Sequence, residues 1–376
     1  MPDLETLRSL VHASPIMHSQ YLDNRHAILS TCLEMGLEGV YVDAYANLKS
    51  RPIELGWVRT NKMIIDFCAS YDKWLKGWSP YPSLKSLPPS RVRWMAAFHL
   101  SVARPQVRLF VSWALENLSA FHRDIIPSWE NGHIKISRSE EARILRAIYR
   151  HEVYHHLFGQ NLGFRDGYDF ESEVINGLFV ELFHPWEVEA IGCFQVFVQG
   201  QWRDLLKPFI RDLDAPWRTV TMQYESGECF LRANWQIGLA AMVSSGLKYL
   251  TRIQALSSSK DRIHVTGRCI NPLKYYESNL DWALYKDAQR LRRIRRFVNE
   301  KDKAQSKGLD MEFHGDSLPA EGPPLPWVLA FGGRYANIYG NDFELREKEL
   351  GWVMWDAKRW SDTGREFYDK RSIHLL

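Results

Sequence analysis

Apolar positions recur with the period of an α-helix along most of this chain. Leu4, Leu7, Leu10 and Val11 repeat at helical spacing before Pro15, and Tyr21, Leu22, Ile28, Leu29 and Leu33 carry a second pattern to Met35. Residues 63–74 predict another helix. Pro80, Pro82, Pro88 and Pro89 crowd the next stretch, and proline removes the amide donor that a helix needs, so residues 77–90 predict a loop. Residues 92–102 and 106–121 predict a helical pair, with Pro105 kinking or breaking the chain between them.

The best-signalled helix covers residues 137–158. Ser137 and Glu140 form a Ser-x-x-Glu capping box, and Gly159 and Gly163 follow its end. Residues 173–183 predict a further helix. Pro185 then reads as the first position of the next, with Glu187 in its first turn. That helix, 186–206, is apolar nearly all round and is expected to be buried on several sides. Residues 230–250 and 280–298 complete the set. Strand candidates are few and short: 218–224 and 352–355. No Gly-x-Gly-x-x-Gly, P-loop or βαβ alternation occurs, which disfavours a nucleotide-binding α/β fold.

The pattern therefore predicts a mainly α protein: an irregular multi-helix array with few short strands. Residues 1–300 form a helical body. Residues 301–326 turn polar and then rich in Gly and Pro, and read as a flexible surface loop. Residues 327–376 return to aromatic density at Trp327, Phe331, Trp352 and Trp355. They are expected to pack back on the body, because that many exposed aromatics invite aggregation.

Composition changes this picture only at the edges. The 376 residues are 45% hydrophobic with 15 Trp, which supports a large aromatic core. Net charge is +3, too even for bulk charge to name a polyanion partner, so no nucleic-acid partner is expected. Arg290–Phe297 (RLRRIRRF) is a local exception. It reads as a helix with an apolar stripe inward and arginines solvated or paired with Asp281, Asp287 and Glu300. The five cysteines (Cys32, Cys68, Cys193, Cys229, Cys269) lack Cys-x-x-Cys spacing, which fits reduced thiols in a cytoplasmic or nuclear protein. The first residues do not read as a secretory signal. The most apolar stretch, 191–198, is far short of the roughly 20 residues that cross a bilayer, so no membrane span is expected.

One motif carries candidate chemistry. His151-Glu152-Val153-Tyr154-His155 matches His-Glu-x-x-His. Two His four apart share a helix face and can share a zinc ion, with Glu152 as general base on the metal-bound water. Glu171, Glu173, Glu181 and His184 are the candidates for a third ligand. The extended pattern with Gly three residues beyond the second His is absent, since Phe158 stands there. The alternative reading gives His151 and His155 to the core as packed imidazoles, with no cofactor. Phe331-Gly332-Gly333-Arg334 reads as a turn rather than an anion cradle.

Four segments together resemble a family of uncharacterised filamentous-fungal proteins, some of them F-box-like. They are LVHASPIMHSQYLDNR (10–25), RILRAIYRHEVYHHLFG (143–159), LFHPWEVEAI (182–191) and GWVMWD (351–356). In that family the central helix reads like Arg-Ala-Leu-Tyr-Arg-Phe-x-x-Tyr-Cys-Asn-Leu-Phe-Gly. His151 and His155 stand where it has an aromatic and a Cys, and the resemblance implies packing roles for both. Residues 3–35 resemble the trailing half of an F-box, a helical module that docks on the linker subunit of a ubiquitin ligase. The resemblance implies a non-enzymatic protein-interaction protein. The alternatives are a zinc-dependent hydrolase using His151, Glu152 and His155, and an accessory protein of a fungal metabolic pathway with a small-molecule pocket.

Overall fold

A computed structural model describes residues 4–121, 129–130, 133–159, 164–166, 170–207, 235–267 and 280–363. The protein is mainly α. Among the described residues the only strands form two pairs: β1 (Val58–Thr60) runs parallel to β4 (Phe164–Asp166), and β2 (Trp129–Glu130) antiparallel to β3 (His133–Ile134). The strand candidate at 218–224 lies outside the described residues.

The N-terminal helices are α1 (Leu4–Ala13), α2 (Pro15–Asp23) and α3 (Arg25–Gly36). Pro15 opens α2, whose first amide has no helical partner in any case. Two short helices that the hydrophobic period did not single out follow, α4 (Tyr41–Ser50) and α5 (Pro52–Leu55). Thr60 caps α6 (Asn61–Leu75) by accepting from the Met63 amide.

Pro105 does not end its helix. Between α7 (Pro89–Phe98) and α8 (Arg104–Phe121) the chain makes one π turn, His99–Ala103, in which the Arg104 amide reaches back to the His99 carbonyl. Proline at 105 has no hydrogen to give to the Ser101 carbonyl. The wider turn before it lets the helix pass through.

At the centre lies α9 (Arg138–Phe158), begun by the Ser137–Glu140 capping box. It packs against α4, α8 and α11 (Pro185–Leu206). The sequence predicts an amphipathic rod, but from Ala142 onward α9 is buried on every side, Arg143, Arg146 and Arg150 included. Gly159 ends it without a left-handed turn: its φ is −71°. Glycine is needed there for close approach, since a Cβ would come within 2.6 Å of the Ser244 carbonyl oxygen. Gly163 lies outside the described residues.

The core is arranged around this helix. Ile144, Leu145, Ile148 and Tyr149 join one apolar cluster with α1, α3, α7, α8 and the C-terminal aromatics. Val153, Tyr154, Leu157 and Phe158 join a second with α6, α10 (Ser172–Leu178) and Phe183.

Glycine and short-range breaks divide the longer predicted helices. Within 230–250, α12 (Trp235–Val243) and α13 (Leu247–Gln254) are separated at Gly246, whose φ is +82°. After α14 (Ser259–Gly267), residues 280–298 split into α15 (Leu280–Ala283) and α16 (Lys286–Arg295). Asn299 then caps α17 (Glu300–Ser306), so the first residues of the predicted 301–326 loop are helical. The non-helical stretch beyond them lies against α9. Asp316 pairs with Arg143 at 2.6 Å, and the carbonyls of Pro319 and Ala320 accept from Arg146.

The C-terminal segment contributes α18 (Leu325–Ala330), α19 (Leu345–Glu349) and α20 (Ala357–Thr363). Trp327, Trp352 and Trp355 are each 0% exposed, and Trp327 stacks on Trp352 with centroids 5.5 Å apart. The strand proposed at 352–355 is a 3-10 turn, Trp352–Met354, preceded by Gly351 in a left-handed conformation. Gly332 and Gly333 have positive φ and bond back to Leu329 and Val328, a turn after α18.

Candidate functional site

His151 and His155 lie one turn apart on the face of α9 that meets α11. Both are buried, and their rings are 4.4 Å apart between centroids. The two Nε2 atoms approach to 3.2 Å. Gln195 on α11 places its Oε1 2.9 Å from His151 Nε2, and its own amide nitrogen points to Asp281 at 3.3 Å. That chain fixes the roles. Gln195 donates to Asp281, so its oxygen faces His151, and His151 Nε2 carries the proton. His155 Nε2 then faces it as a lone pair.

Burial sets the charge of both rings. It pushes His151 down to about 4, and the bond to Gln195 only partly opposes this. Burial also holds His155 well below the ordinary histidine value, with the neighbouring imidazoles adding to the effect. Both are neutral at physiological pH. Phe194 meets His151 edge to face at 5.2 Å, and Tyr154 meets His155 at 5.3 Å. The Nδ1 atoms of both rings are buried with no hydrogen-bond partner.

Glu152 faces a different set of groups. One carboxylate oxygen accepts from the Leu247 amide at 2.7 Å, at the first position of α13. The other lies 3.6 Å from His156 Nε2, while His156 Nδ1 bonds Ser50 at 2.8 Å. Burial raises Glu152, but the His156 and Leu247 contacts outweigh it, and its carboxyl titrates below the usual value. Glu152 is thus a remote cap: its negative charge sits at the positive end of α13. Gly246 has no Cβ to obstruct it, and one there would stand 3.1 Å from the carboxylate.

The predicted third ligands lie elsewhere. Glu173 pairs with Arg295 at 3.0 Å, with Glu171 beside it. Glu181 bonds Arg292 and Tyr339, and His184 stacks on Trp186. Among the described residues no group of three His, Cys, Asp or Glu side chains converges. A tetrahedral zinc with bonds of about 2.05 Å would set two ligand nitrogens about 3.3 Å apart. The His151–His155 spacing meets that figure, but the third neighbour is a neutral amide and Glu152 is committed to α13. Two imidazoles and an amide would leave a divalent charge in the core without compensation. Among the described residues the donor set does not complete a hydrolytic zinc centre.

Gln195 was the informative residue that motif reading passed over. It is the one polar side chain in the apolar stretch 191–198, and an isolated polar residue in such a run needs a buried partner.

A second grouping lies at the other side of α9. Arg150 is buried with Asp43 at 2.9 Å and Glu187 at 2.9 Å, and its guanidinium lies 4.3 Å from the Phe183 ring centre. Burial would lower Arg150, but the two carboxylates raise it beyond its ordinary value. Arg150 and its neighbours hold Glu187 down to about 2 despite burial. These residues line a cleft of about 610 Å³ together with Lys301 and Trp78. The charges of Arg150, Asp43 and Glu187 are satisfied by one another, so the cleft singles out no ligand class.

No family profile, curated protein or solved structure matches this chain.

Proposed function

We propose that this chain is a non-enzymatic protein-interaction protein of the fungal F-box-like type, and that α1–α3 dock on the linker subunit of a ubiquitin ligase. The supporting observation is the surface of α2. None of its nine residues is buried, and Ile16, Met17 and Leu22 are 70%, 47% and 51% exposed. Leu10 on α1 adds to the same module at 43%. Burying one such side chain in an interface is worth about 1.5–3 kcal/mol, so three of them are a sizeable reservoir of unspent apolar contact. The underside of the module is anchored, with Leu4, Leu7, Leu29 and Leu33 in the core. A rigid base under an exposed apolar helix is the form a docking module takes. A cytoplasmic or nuclear location accompanies this reading.

The test uses purified full-length protein and purified linker subunit. Binding in the micromolar range is expected, and Ile16→Asp with Met17→Asp should abolish it without lowering thermal stability. A folded wild-type chain that does not bind, or that binds equally well with both substitutions, defeats the proposal.

A further inference from the structure

The arginine-rich run noted in the sequence forms α16, and its packing leaves an unusual outer face. The helix buries Ala288, Gln289 and Arg292. Lys286, Arg290 and Ile294, four apart, share the opposite side and are exposed. The chain then leaves the helix and exposes two more apolar residues. Ile294, Phe297 and Val298 are 69%, 51% and 55% exposed. Trp282, on α15, is 56% exposed. Large apolar side chains this open and this close together call for a cover.

The charges around them indicate its nature. Arg292 is consumed inside the protein by Glu181 and Asp302. Arg290 and Arg295 have side chains 65% and 57% exposed. The acidic groups facing them are Asp287, 3.4 Å from Arg290, and Glu173, 3.0 Å from Arg295, with Glu171 near Arg296 and Asp342 near Lys286. Glu173 is itself buried, so the Arg295 head stands outside it. The Asp287 pair is exposed and weak. Glu300, two residues past Val298, is exposed and pairs with Lys303 at 2.6 Å, so the outermost polar groups of the face itself are mainly cationic.

We propose that this face, from Lys286 to Val298, docks the protein on the surface of an anionic lipid bilayer. Ile294, Phe297 and Val298 enter the boundary between headgroups and acyl chains, while Arg290, Arg295 and Arg296 meet the lipid phosphates. A single-stranded nucleic acid would supply phosphates too and would find stacking faces at Phe297 and Trp282, but it gives no reason for the exposed aliphatic side chains of Ile294 and Val298, which a bilayer does. The contact is superficial: no helix among the described residues is long and apolar enough to cross a membrane.

Vesicle co-sedimentation of the full chain tests this. Wild type should sediment with phosphatidylcholine vesicles containing about 30% phosphatidylserine, stay in solution with phosphatidylcholine alone, and be released by salt. Arg290→Glu with Arg296→Glu should weaken partitioning by about fivefold or more for each arginine reversed. Ile294→Glu with Phe297→Glu should weaken it at least tenfold, while Ile53→Glu, at an exposed position on α5, should leave it unchanged. All variants should keep the wild-type melting temperature. Failure of wild type to sediment, equal binding to neutral vesicles, or binding unaffected by the paired substitutions overturns the proposal. So does binding to a single-stranded polynucleotide in preference to vesicles.

Discussion

Replacing the imidazole pair with an aromatic ring and a thiol, His151→Phe and His155→Cys, should flatten the acid sensitivity of this protein. The sign follows from burial. In the unfolded chain histidine titrates near 6.5, whereas folded His151 titrates at about 4. Between those values the unfolded state binds more protons, so folding stability falls as pH falls. Over the interval from about pH 7 to about pH 5, a shift of that size costs about 2 kcal/mol. His99, pushed by burial to about 3, costs about 2 kcal/mol over the same interval. His155 acts in the same direction.

Among the described residues the raised carboxyl groups of Glu189, Asp342 and Glu171 oppose them. Glu189 is buried beside the Gly340 amide and the Trp352 indole, and burial raises it to about 7. Its folded value is above the unfolded one, so its contribution is present at low pH and lost as pH rises through about 7. From about pH 7 to about pH 5 it returns about 2 kcal/mol, roughly one histidine's worth. The carboxylates held low, such as Glu187 at about 2, add nothing until pH falls below about 5. Each buried imidazole therefore makes wild type lose stability across the interval, against a total stability of about 5–15 kcal/mol. In the double variant that loss should shrink by at least about 2 kcal/mol. Urea unfolding at the two pH values, followed by tryptophan fluorescence, measures both slopes. Identical slopes in wild type and variant would refute the neutral, space-filling assignment. So would stabilisation by added zinc that the variant lacks.

Arg150→Leu leaves Asp43 and Glu187 facing each other in the interior and should cost about 3–5 kcal/mol, seen as a lower urea midpoint. Asp43→Asn on that background should recover part of the loss. Gly340→Ala is expected to cost about 2–4 kcal/mol, because its φ is +72° and a Cβ would lie 2.9 Å from Leu284 Cβ. Trp327→Ala should lower stability by about 3–5 kcal/mol, whereas Leu345→Ala, with that side chain in solvent, should change it by less than about 0.5 kcal/mol in thermal melts.

Much of the helical framework was legible because its signals are local. The Ser137–Glu140 box and Pro185 with Glu187 act within one turn, and both helices begin where those residues stand. The mainly α class followed from the same short-range periodicity. Helix ends set by glycine were less legible. Gly246 and Gly159 both interrupt helices, one through positive φ and one through close approach, and a sequence does not distinguish the two. The short helix α4 passed unnoticed because most of its residues, polar ones included, are buried against α9, which erases the apolar period.

The roles of the charged and imidazole groups belonged to the tertiary structure alone. Arg143, Arg146 and Arg150 recur along α9 like a solvated stripe, yet Asp316, the carbonyls of residues 319 and 320, and Asp43 draw them inward. Glu152 looked like a general base and is a cap on α13, nearly a hundred residues away. The physical reason is range. Hydrogen bonding within a helix depends on residues three or four apart, which a linear chain displays. Desolvation and ion pairing depend on groups brought together from distant segments, and only the folded chain supplies them.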